Sequence, residues 1–293
     1  MTETIEIAVI GGSGLYNMPE ITDKSTLKVE TPYGAPSADI LVGTLSGKRV
    51  AFLPRHGVGH AFTPTTVPYR ANIYALKKIG VKFIIAVNAC GSLREDYAPG
   101  HIVIPDQLYD NTKSERGGRS FFEYGLVAHV SVADPFCPEL NDLLYEAVLQ
   151  ADGTVHKGGN FITIEGPRFS TRGESMVFRQ WGCSLIGMTT SPEAFLAREA
   201  EIAYSSIAHI TDYDVWHTSE EAVTAEKVLA IMSENLKTVE KAIACAVGKL
   251  DTTQVYSCHT VLDEAIFVDR TKIPAPVLEK LEPILKRFFE AHP

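Results

Sequence analysis

Short apolar runs alternate with helix-like segments along most of this chain, and this alternation limits the fold more than any other feature. Residues 5–10 (IEIAVI) and 81–87 (VKFIIAV) are short runs rich in β-branched residues, which is typical of buried strands. Before the second run, residues 67–78 carry apolar side chains at helical spacing and stop at Gly80. Further strands are expected at residues 50–53, 102–104, 161–164, 184–188 and 202–210.

The interleaving continues to about residue 250 without a linker-like stretch or an internal repeat. Ser191 and Pro192 are expected to open a helix through residue 199, as its N-cap and first helical residue. A long helix is expected over residues 224–250. We therefore predict an α/β fold in which residues 1–250 form one domain, with a central mixed β-sheet flanked by helices.

Residues 251–293 are predicted to form a C-terminal extension of different character. Residues 251–275 look irregular, and residues 276–291 form an amphipathic helix that Pro283 is expected to kink or split. The apolar side of this helix is expected to cover the chain's own core or a neighbouring subunit. It carries Leu278, Leu281, Leu285, Phe288 and Phe289.

The charge balance restricts the partners of the chain. Its 293 residues carry 27 Lys and Arg against 36 Asp and Glu, a net charge of −9. This balance argues against broad contact with nucleic acid or an anionic membrane. A local anion site is still compatible with it, because such sites need only a few well-placed donors.

The start of the chain and its cysteines favour a cytoplasmic protein. The segment MTETIEIAVIGG has no basic region of the kind that opens a secretory signal. No apolar run approaches the roughly 20 residues that a membrane-spanning helix needs. The cysteines lack CxxC spacing and are expected to be reduced thiols, although an intersubunit disulfide stays open. They are Cys90, Cys137, Cys183, Cys245 and Cys258.

A glycine-rich segment, IGGSGLY (10–16), directly follows the first strand. Backbone N–H groups in such a turn can converge on an anion, and Ser13 adds a hydroxyl. The dinucleotide motif GxGxxG is broken because Asn17 holds the place of its third glycine. Leu15 likewise rules out a GxSxG nucleophile elbow. A phosphate loop and a simple tight turn are both compatible with this segment.

The segment LPRHGVGH (53–60) places Arg55 and His56 directly after a strand, where a guanidinium fork and an imidazole can bind phosphate. His56 and His60 are four residues apart, which on a helix would suggest a metal site. Gly57 and Gly59 disfavour a helix, so no metal is expected here.

Three further segments carry polar groups near strand ends. VNACGSLR (87–94) offers the Ala89 amide to an anion, whereas Cys90 lacks a cationic activator and is interpreted as structural. GMTTSPE (187–193) offers the hydroxyls of Thr189 and Thr190 at a helix N-terminus, where anions bind well. In IEGPRFSTRGE (164–174), Phe169 is either a stacking surface or a core residue.

The segment ITDYDVW (210–216) places Asp212 and Asp214 after an apolar strand. They are either a solvated strand end or a paired acid site. On an extended chain, their carboxylates would lie roughly 6–7 Å apart on one face. Burial and crowding would then raise the pKa of at least one of them. Because strand ends meet at one edge of an α/β sheet, a phosphate pocket beside a pocket for hydrogen-bond donors is expected.

Taken in order over about residues 5–250, seven motifs resemble the 5′-methylthioadenosine phosphorylases of the purine nucleoside phosphorylase superfamily: IGGSGLY, TPYGAPS, RHGVGH, NACGSLR, EGPRFSTR, GMTTSPE and TDYD. The resemblance implies a single-domain phosphorylase fold and a pentosyltransferase of purine and methionine salvage. Inorganic phosphate would cleave methylthioadenosine to adenine and methylthioribose 1-phosphate. No cofactor and no metal are implied, and the family forms trimers or dimers of trimers.

The resemblance also implies roles for individual residues. Met188 would contact the ribose and Phe169 the base, while His129 of an adjacent subunit would close the pocket over the 5′ group. Val228 and Leu229 would help to form the slot for the methylthio group. The residues implied in phosphate binding are Ser13, Arg55, His56, Asn88, Ala89 and Thr189.

Base recognition is implied for Asp212 and Asp214, with Asp212 as the N7 acid and N6 acceptor and Asp214 supporting it. A 6-oxopurine enzyme would carry asparagine at 212 and glutamate at 170, so Asp212 and Ser170 favour adenine. Ala225 is smaller than the valine of some relatives and would widen the 5′ pocket enough to admit adenosine. Two alternatives stay open. One is a broader purine nucleoside phosphorylase, and the other is a non-catalytic nucleoside or dinucleotide-binding module.

Overall fold

The computed structural model describes residues 4–12, 14–217 and 225–292, and describes only the backbone of residues 225–230 and 232. Within these ranges, eleven strands form one mixed sheet. They are β1 (Ile7–Gly11), β2 (Thr22–Leu27), β3 (Ile40–Leu45), β4 (Lys48–Pro54), β5 (Phe83–Ser92), β6 (Ile102–Ile104), β7 (Gln107–Asn111), β8 (Val155–Lys157), β9 (Asn160–Ile164), β10 (Leu185–Gly187) and β11 (Ala203–Asp212).

Helices pack on both sides of this sheet. The described α-helices are α1 (Tyr69–Lys78), α2 (Pro138–Gln150), α3 (Arg172–Gln180), α4 (Thr190–Glu199), α5 (Ala225–Lys249), α6 (Ala275–Lys280) and α7 (Glu282–Ala291). Successive residues of a strand point to opposite faces, and along β1 the side chains of Ala8 and Ile10 join one core cluster while those of Ile7 and Val9 join another. The first core contains residues of α1, α4 and α7, and the second contains residues of α2 and α5.

The long central strand β5 organises the sheet. One path runs in the order β2-β3-β4-β1-β5-β10-β9-β7, and β11 pairs with the other edge of β5 and leads to β6 and β8. The pairs β1–β4, β1–β5 and β5–β11 are parallel, whereas β2–β3 and β3–β4 are antiparallel. The ends of β1, β4, β5 and β11 therefore meet on one side of the molecule. This arrangement confirms the predicted α/β fold with a mixed central sheet.

The structure extends and corrects the predicted elements. The strand expected at 81–87 continues to Ser92, so the first five residues of the NACGSLR motif lie within β5. Ser191 is extended, but its hydroxyl donates to Asp110 at 2.7 Å and does not cap α4. The helix α3 was not predicted, although Thr171 and Glu174 form a capping box at its start, a pattern visible in the sequence. The strands β2 and β3 and the helix α2 were not predicted either.

The C-terminal extension is more ordered than predicted. Residues 251–275 are not irregular throughout, because Ser257–Glu264 and Arg270–Lys272 form 3₁₀ turns that bury Cys258 and Leu262. The amphipathic helix is split into α6 and α7 at Leu281, as expected from Pro283. Its buried side joins the core that contains α1. The buried side chains are Leu281, Ile284, Leu285 and Phe288.

Within the ranges given above, none of the helices has the length and apolar character that a membrane crossing requires. All five cysteines are free thiols in this structure.

Candidate active site

A cavity of about 330 Å³ opens where the ends of β1, β4, β5 and β11 meet. It brings together ten of the residues predicted for the site, contributed by segments that are distant in sequence. They are Arg55, His56, Asn88, Ala89, Phe169, Ser170, Met188, Thr189, Asp212 and Asp214.

The other predicted residues are not among the described residues that line this cavity. His129 is exposed and does not line this cavity; its backbone N–H donates to the carbonyl of Ala265 at 3.0 Å. Ser13 lies outside the described residues. The side chains of Ala225, Val228 and Leu229 also lie outside the described part, although their backbone belongs to α5.

Arg55 follows β4 and is buried at the cavity wall. The guanidinium fork expected to bind phosphate instead binds Glu193 of α4, with Nε and Nη2 each 2.7 Å from a carboxylate oxygen. Nη1 donates to the Val87 carbonyl at 2.9 Å. Because a guanidinium has five N–H groups, these bonds leave a further N–H on Nη1 for a ligand. Glu193 ends the GMTTSPE motif, but sequence reasoning assigned it no role.

His56 is held in one tautomer. Its Nδ1 lies 2.9 Å from the Phe62 carbonyl oxygen, which can only accept, so Nδ1 carries the hydrogen. Burial, and after it the charge of Arg55, lowers the pKa of His56 to about 4. The ring is therefore neutral at pH 7 and its Nε2 is an acceptor. The phosphate binding that the sequence predicts for this residue therefore requires a protonated phosphate oxygen that donates to Nε2.

Asn88 orients Thr189. Its Nδ2 donates to the Thr189 hydroxyl at 3.0 Å, and its Oδ1 accepts from Ser206 at 2.8 Å. Because the Thr189 oxygen already accepts a bond from Asn88, its own hydrogen is free to point towards an anion. Thr189 also lies at the N-terminus of α4, where the helix dipole favours negative charge.

The acid pair does not have the predicted extended geometry. The strand β11 ends at Asp212, whose Oδ1 accepts from the Asp214 backbone N–H at 2.8 Å, and Asp214 has a φ of 52°. This is an Asx turn, in which a side-chain oxygen takes the place of the backbone carbonyl oxygen of an ordinary turn. Asp212 Oδ2 also accepts from the Thr211 hydroxyl at 2.7 Å. Both bonds favour the charged form of Asp212.

Asp214 has a different environment. Its residue is 9% exposed, and burial raises the pKa of its carboxyl group from 3.8 to about 6. Among the described residues, Asp214 Oδ2 and Ser170 Oγ are buried without a hydrogen-bond partner, and both residues line the cavity. Buried polar atoms of this kind are rare in folded proteins and point to a polar ligand.

Arg116, which sequence reasoning missed, joins the segments that form the cavity wall. Its guanidinium donates to the carbonyls of Met188 at 2.7 Å, Ser191 at 3.0 Å and Ile164 at 3.1 Å. It also pairs with Glu165 at 2.9 Å. Burial alone would raise the pKa of Glu165, but hydrogen bonds from Thr65 and two backbone N–H groups, together with the Arg116 charge, lower it to about 2.

The remaining wall is apolar or small. Phe169 is 68% exposed and borders the opening, where a flat ligand could stack on it. His209, which the sequence did not suggest as a site residue, also lines the cavity, and burial lowers its pKa to about 4. Among the described residues, no three His, Cys, Asp or Glu side chains are grouped as a metal site requires.

Comparison with known sequences identifies the family of this fold and site. A sequence profile of the Phosphorylase superfamily matches residues 6–247. The S-methyl-5'-thioadenosine phosphorylase of Chloroflexus aurantiacus is 51% identical over 283 residues, which cover 97% of this chain and 98% of that relative.

Solved structures agree with this result. A crystal structure of methylthioadenosine phosphorylase sourced from an antarctic soil metagenomic library has a TM-score of 0.92 and 47% identity, covering 96% of this chain and 99% of that one. A variant of adenosine/methylthioadenosine phosphorylase from Schistosoma mansoni, in complex with methylthioadenosine, has a TM-score of 0.77 and 34% identity, covering 85% and 94%. The chain therefore belongs to the phosphorylase superfamily and, within it, to the family of S-methyl-5'-thioadenosine phosphorylases.

Proposed function

We propose that this chain is a pentosyltransferase that cleaves 5′-methylthioadenosine with inorganic phosphate, giving adenine and 5-methylthioribose 1-phosphate. One observation carries the proposal. A single cavity is lined both by the anion donors Arg55 and Thr189 and by an acid pair, the partly buried Asp212 and the buried Asp214. The structural relative from Schistosoma mansoni was solved with methylthioadenosine bound.

Phosphate would bind on the wall formed by Arg55, Asn88, Ala89 and Thr189, with Ser13 contributing from the glycine-rich loop. Its attack at the ribose C1′ passes through an oxocarbenium-like state, and an anion held below the sugar stabilises the developing positive charge. The new bond joins C1′ to a phosphate oxygen while the bond from C1′ to N9 breaks. Nε2 of His56 would accept the hydrogen bond of the protonated phosphate oxygen.

The leaving base needs a proton or a strong hydrogen bond at N7. Asp214 suits this role because its raised pKa keeps it partly protonated near neutral pH. Asp212, whose carboxylate already accepts hydrogen bonds from Thr211 and from the Asp214 backbone, would accept from the N6 amino group. This division reverses the sequence-based expectation that Asp212 is the acid. Protons balance over the reaction, since HPO₄²⁻ loses one and adenine gains one.

Substrate choice would rest on Ser170, Phe169 and Met188, with Val228, Leu229 and Ala225 at the 5′ end. Ser170 leaves no acid for the N1 proton of a 6-oxopurine. Adenosine is the second candidate substrate, since the Schistosoma relative is described as an adenosine/methylthioadenosine phosphorylase. We also propose a cytoplasmic homo-oligomer, a trimer or a dimer of trimers, in which His129 completes the site of a neighbouring subunit. No cofactor beyond the phosphate co-substrate is proposed.

Initial rates on three nucleosides test this proposal. Methylthioadenosine, adenosine and inosine are each supplied with saturating phosphate, and the freed base is measured. We expect methylthioadenosine to have the highest kcat/KM and inosine the lowest. A preference for inosine would contradict adenine recognition, and no turnover of any of the three would reject the enzyme.

A further inference from the structure

The ion pair between Arg55 and Glu193 is buried at the cavity wall. The side chains of Arg55 and Glu193 are 3% and 0% exposed, and two bonds of 2.7 Å join them. The Tyr204 hydroxyl donates a further bond to Glu193 at 2.9 Å. Arg55 lines the cavity, whereas Glu193 lies behind it. Glu193 can therefore act on a ligand in the cavity only by way of Arg55.

This ion pair cancels the positive charge of Arg55 at the wall where phosphate would bind. Among the described residues that line the cavity, Arg55 is the one with a permanent positive charge. Burial alone would lower the pKa of Arg55, and the Glu193 carboxylate raises it above its usual value, so the guanidinium stays protonated. The positive charge that phosphate would otherwise meet is already balanced inside the protein.

We propose that Glu193 is a positioning residue that holds Arg55 as its internal counterion and thereby weakens phosphate binding; this inference rests on the proposed function. Charges interact strongly in a buried, low-dielectric site, so two anions that share one cation compete for it. Phosphate would then be held mainly by neutral donors such as the Thr189 hydroxyl. Weak binding of the ground state favours turnover, because tight uniform binding lowers KM without raising kcat.

A purely structural role for Glu193 predicts a different result. Removing the carboxylate would then lower stability and leave phosphate affinity unchanged or weaker. Under our proposal, Glu193→Gln leaves Arg55 without a counterion, and phosphate replaces the missing charge. Phosphate should bind this variant more tightly and should raise its Tm more than it raises the Tm of the wild type.

Isothermal titration of inorganic phosphate into the wild type and Glu193→Gln separates the two roles. We expect the phosphate Kd to fall at least about tenfold in Glu193→Gln, a change of about 1.4 kcal/mol, while the methylthioadenosine KM stays within about twofold. The control is Glu199→Gln, which removes a partly buried acid from the same helix away from the cavity and should leave the phosphate Kd within about twofold. An unchanged or higher Kd in Glu193→Gln would overturn the proposal.

A second pair of variants keeps the test valid if Glu193→Gln folds poorly. Arg55→Met combined with Glu193→Leu removes both charges and can pack as an apolar pair. Arg55→Met alone leaves the carboxylate beside the anion, so it should bind phosphate at least about tenfold more weakly than the double variant. Equal losses in the two variants would refute the competition between Glu193 and phosphate. A wild type that neither binds phosphate nor cleaves methylthioadenosine would reject the proposed function as well.

Discussion

Asp212 and Asp214 are only two residues apart, yet the fold places their carboxyl groups in different surroundings. Asp212 accepts hydrogen bonds that favour its charge, whereas Asp214 is buried with an unpaired oxygen. The sequence predicts an acid pair and a raised pKa for at least one member. It does not show which member, because that depends on the Asx turn and on the α3 side chains Ser175 and Glu174 that lie near Asp214.

Asp214→Asn tests this division through stability. The pKa of Asp214 is raised from 3.8 to about 6, so the folded state binds the proton more tightly than the unfolded state does. Ionised Asp214 therefore destabilises the fold increasingly as pH rises from about 4 to 6, and by a constant amount above that. We expect Asp214→Asn to raise the free energy of unfolding by about 2–3 kcal/mol more at pH 8 than at pH 4. Urea unfolding at both pH values measures this, and an equal effect at both would contradict it.

Asp212→Asn tests adenine recognition. In this variant, one of the two carboxylate oxygens is replaced by an NH₂ group. This group cannot accept from the N6 amino group of adenine but can donate to a 6-oxo group. We expect kcat/KM for methylthioadenosine to fall roughly 10- to 100-fold, with a smaller loss for inosine. Steady-state kinetics on both nucleosides measure the change, and a parallel loss would show that Asp212 does not recognise the base.

At the scale of elements, the site is built from strand ends that apolar runs in the sequence already mark. Polar residues directly after such runs, as in RH after β4 and TD at the end of β11, can be assigned to one sheet edge. The supporting ion pairs cannot be assigned in this way. Arg55 meets Glu193 across 138 residues and Arg116 meets Glu165 across 49. Many acids compete as partners for each arginine, and only the folded chain selects one.

The attachment of α7 depends on such a pair. Arg287 binds Glu201 at 2.5 and 2.7 Å and also binds Asp263, and the Glu201 side chain is 1% exposed. Arg287→Met would leave a buried carboxylate without its cation. We expect the free energy of unfolding to fall by about 3 kcal/mol, measured by urea denaturation.

The matched control for Arg287→Met is Arg94→Met. Arg94 and its partner Asp96 have side chains that are 45% and 61% exposed, so this change should cost about 0–1 kcal/mol. If Arg287→Met costs no more than Arg94→Met, the extension is not held to the core by this ion pair.

At the scale of the whole molecule, the branching of the sheet at β5 gathers distant segments around one cavity, and the C-terminal helices cover one core. The overall fold class was readable from the alternation of strands and helices. The assembly is not visible in a single chain. His129 lies outside its own cavity, so its proposed role requires a second subunit.

Mixed oligomers test this shared site. We expect a mass three or six times the 32.0 kDa of one chain. His129→Ala should lower kcat/KM for methylthioadenosine by about tenfold, because the neighbour no longer closes the 5′ end of the pocket. When His129→Ala and Asp214→Asn chains are co-expressed, some mixed oligomers contain a site with both groups intact. In that site, Asp214 comes from the His129→Ala chain and His129 from the neighbouring Asp214→Asn chain. Activity above the mean of the two parents is expected, and activity equal to that mean would contradict a shared site.

The dependence of adenine release on phosphate tests the central claim most directly. Phosphate-free protein is incubated with methylthioadenosine, phosphate is then added, and adenine and methylthioribose 1-phosphate are quantified together. We predict negligible adenine without phosphate, and equal amounts of the two products after its addition. Adenine released without phosphate, or without the sugar phosphate, would contradict phosphorolysis.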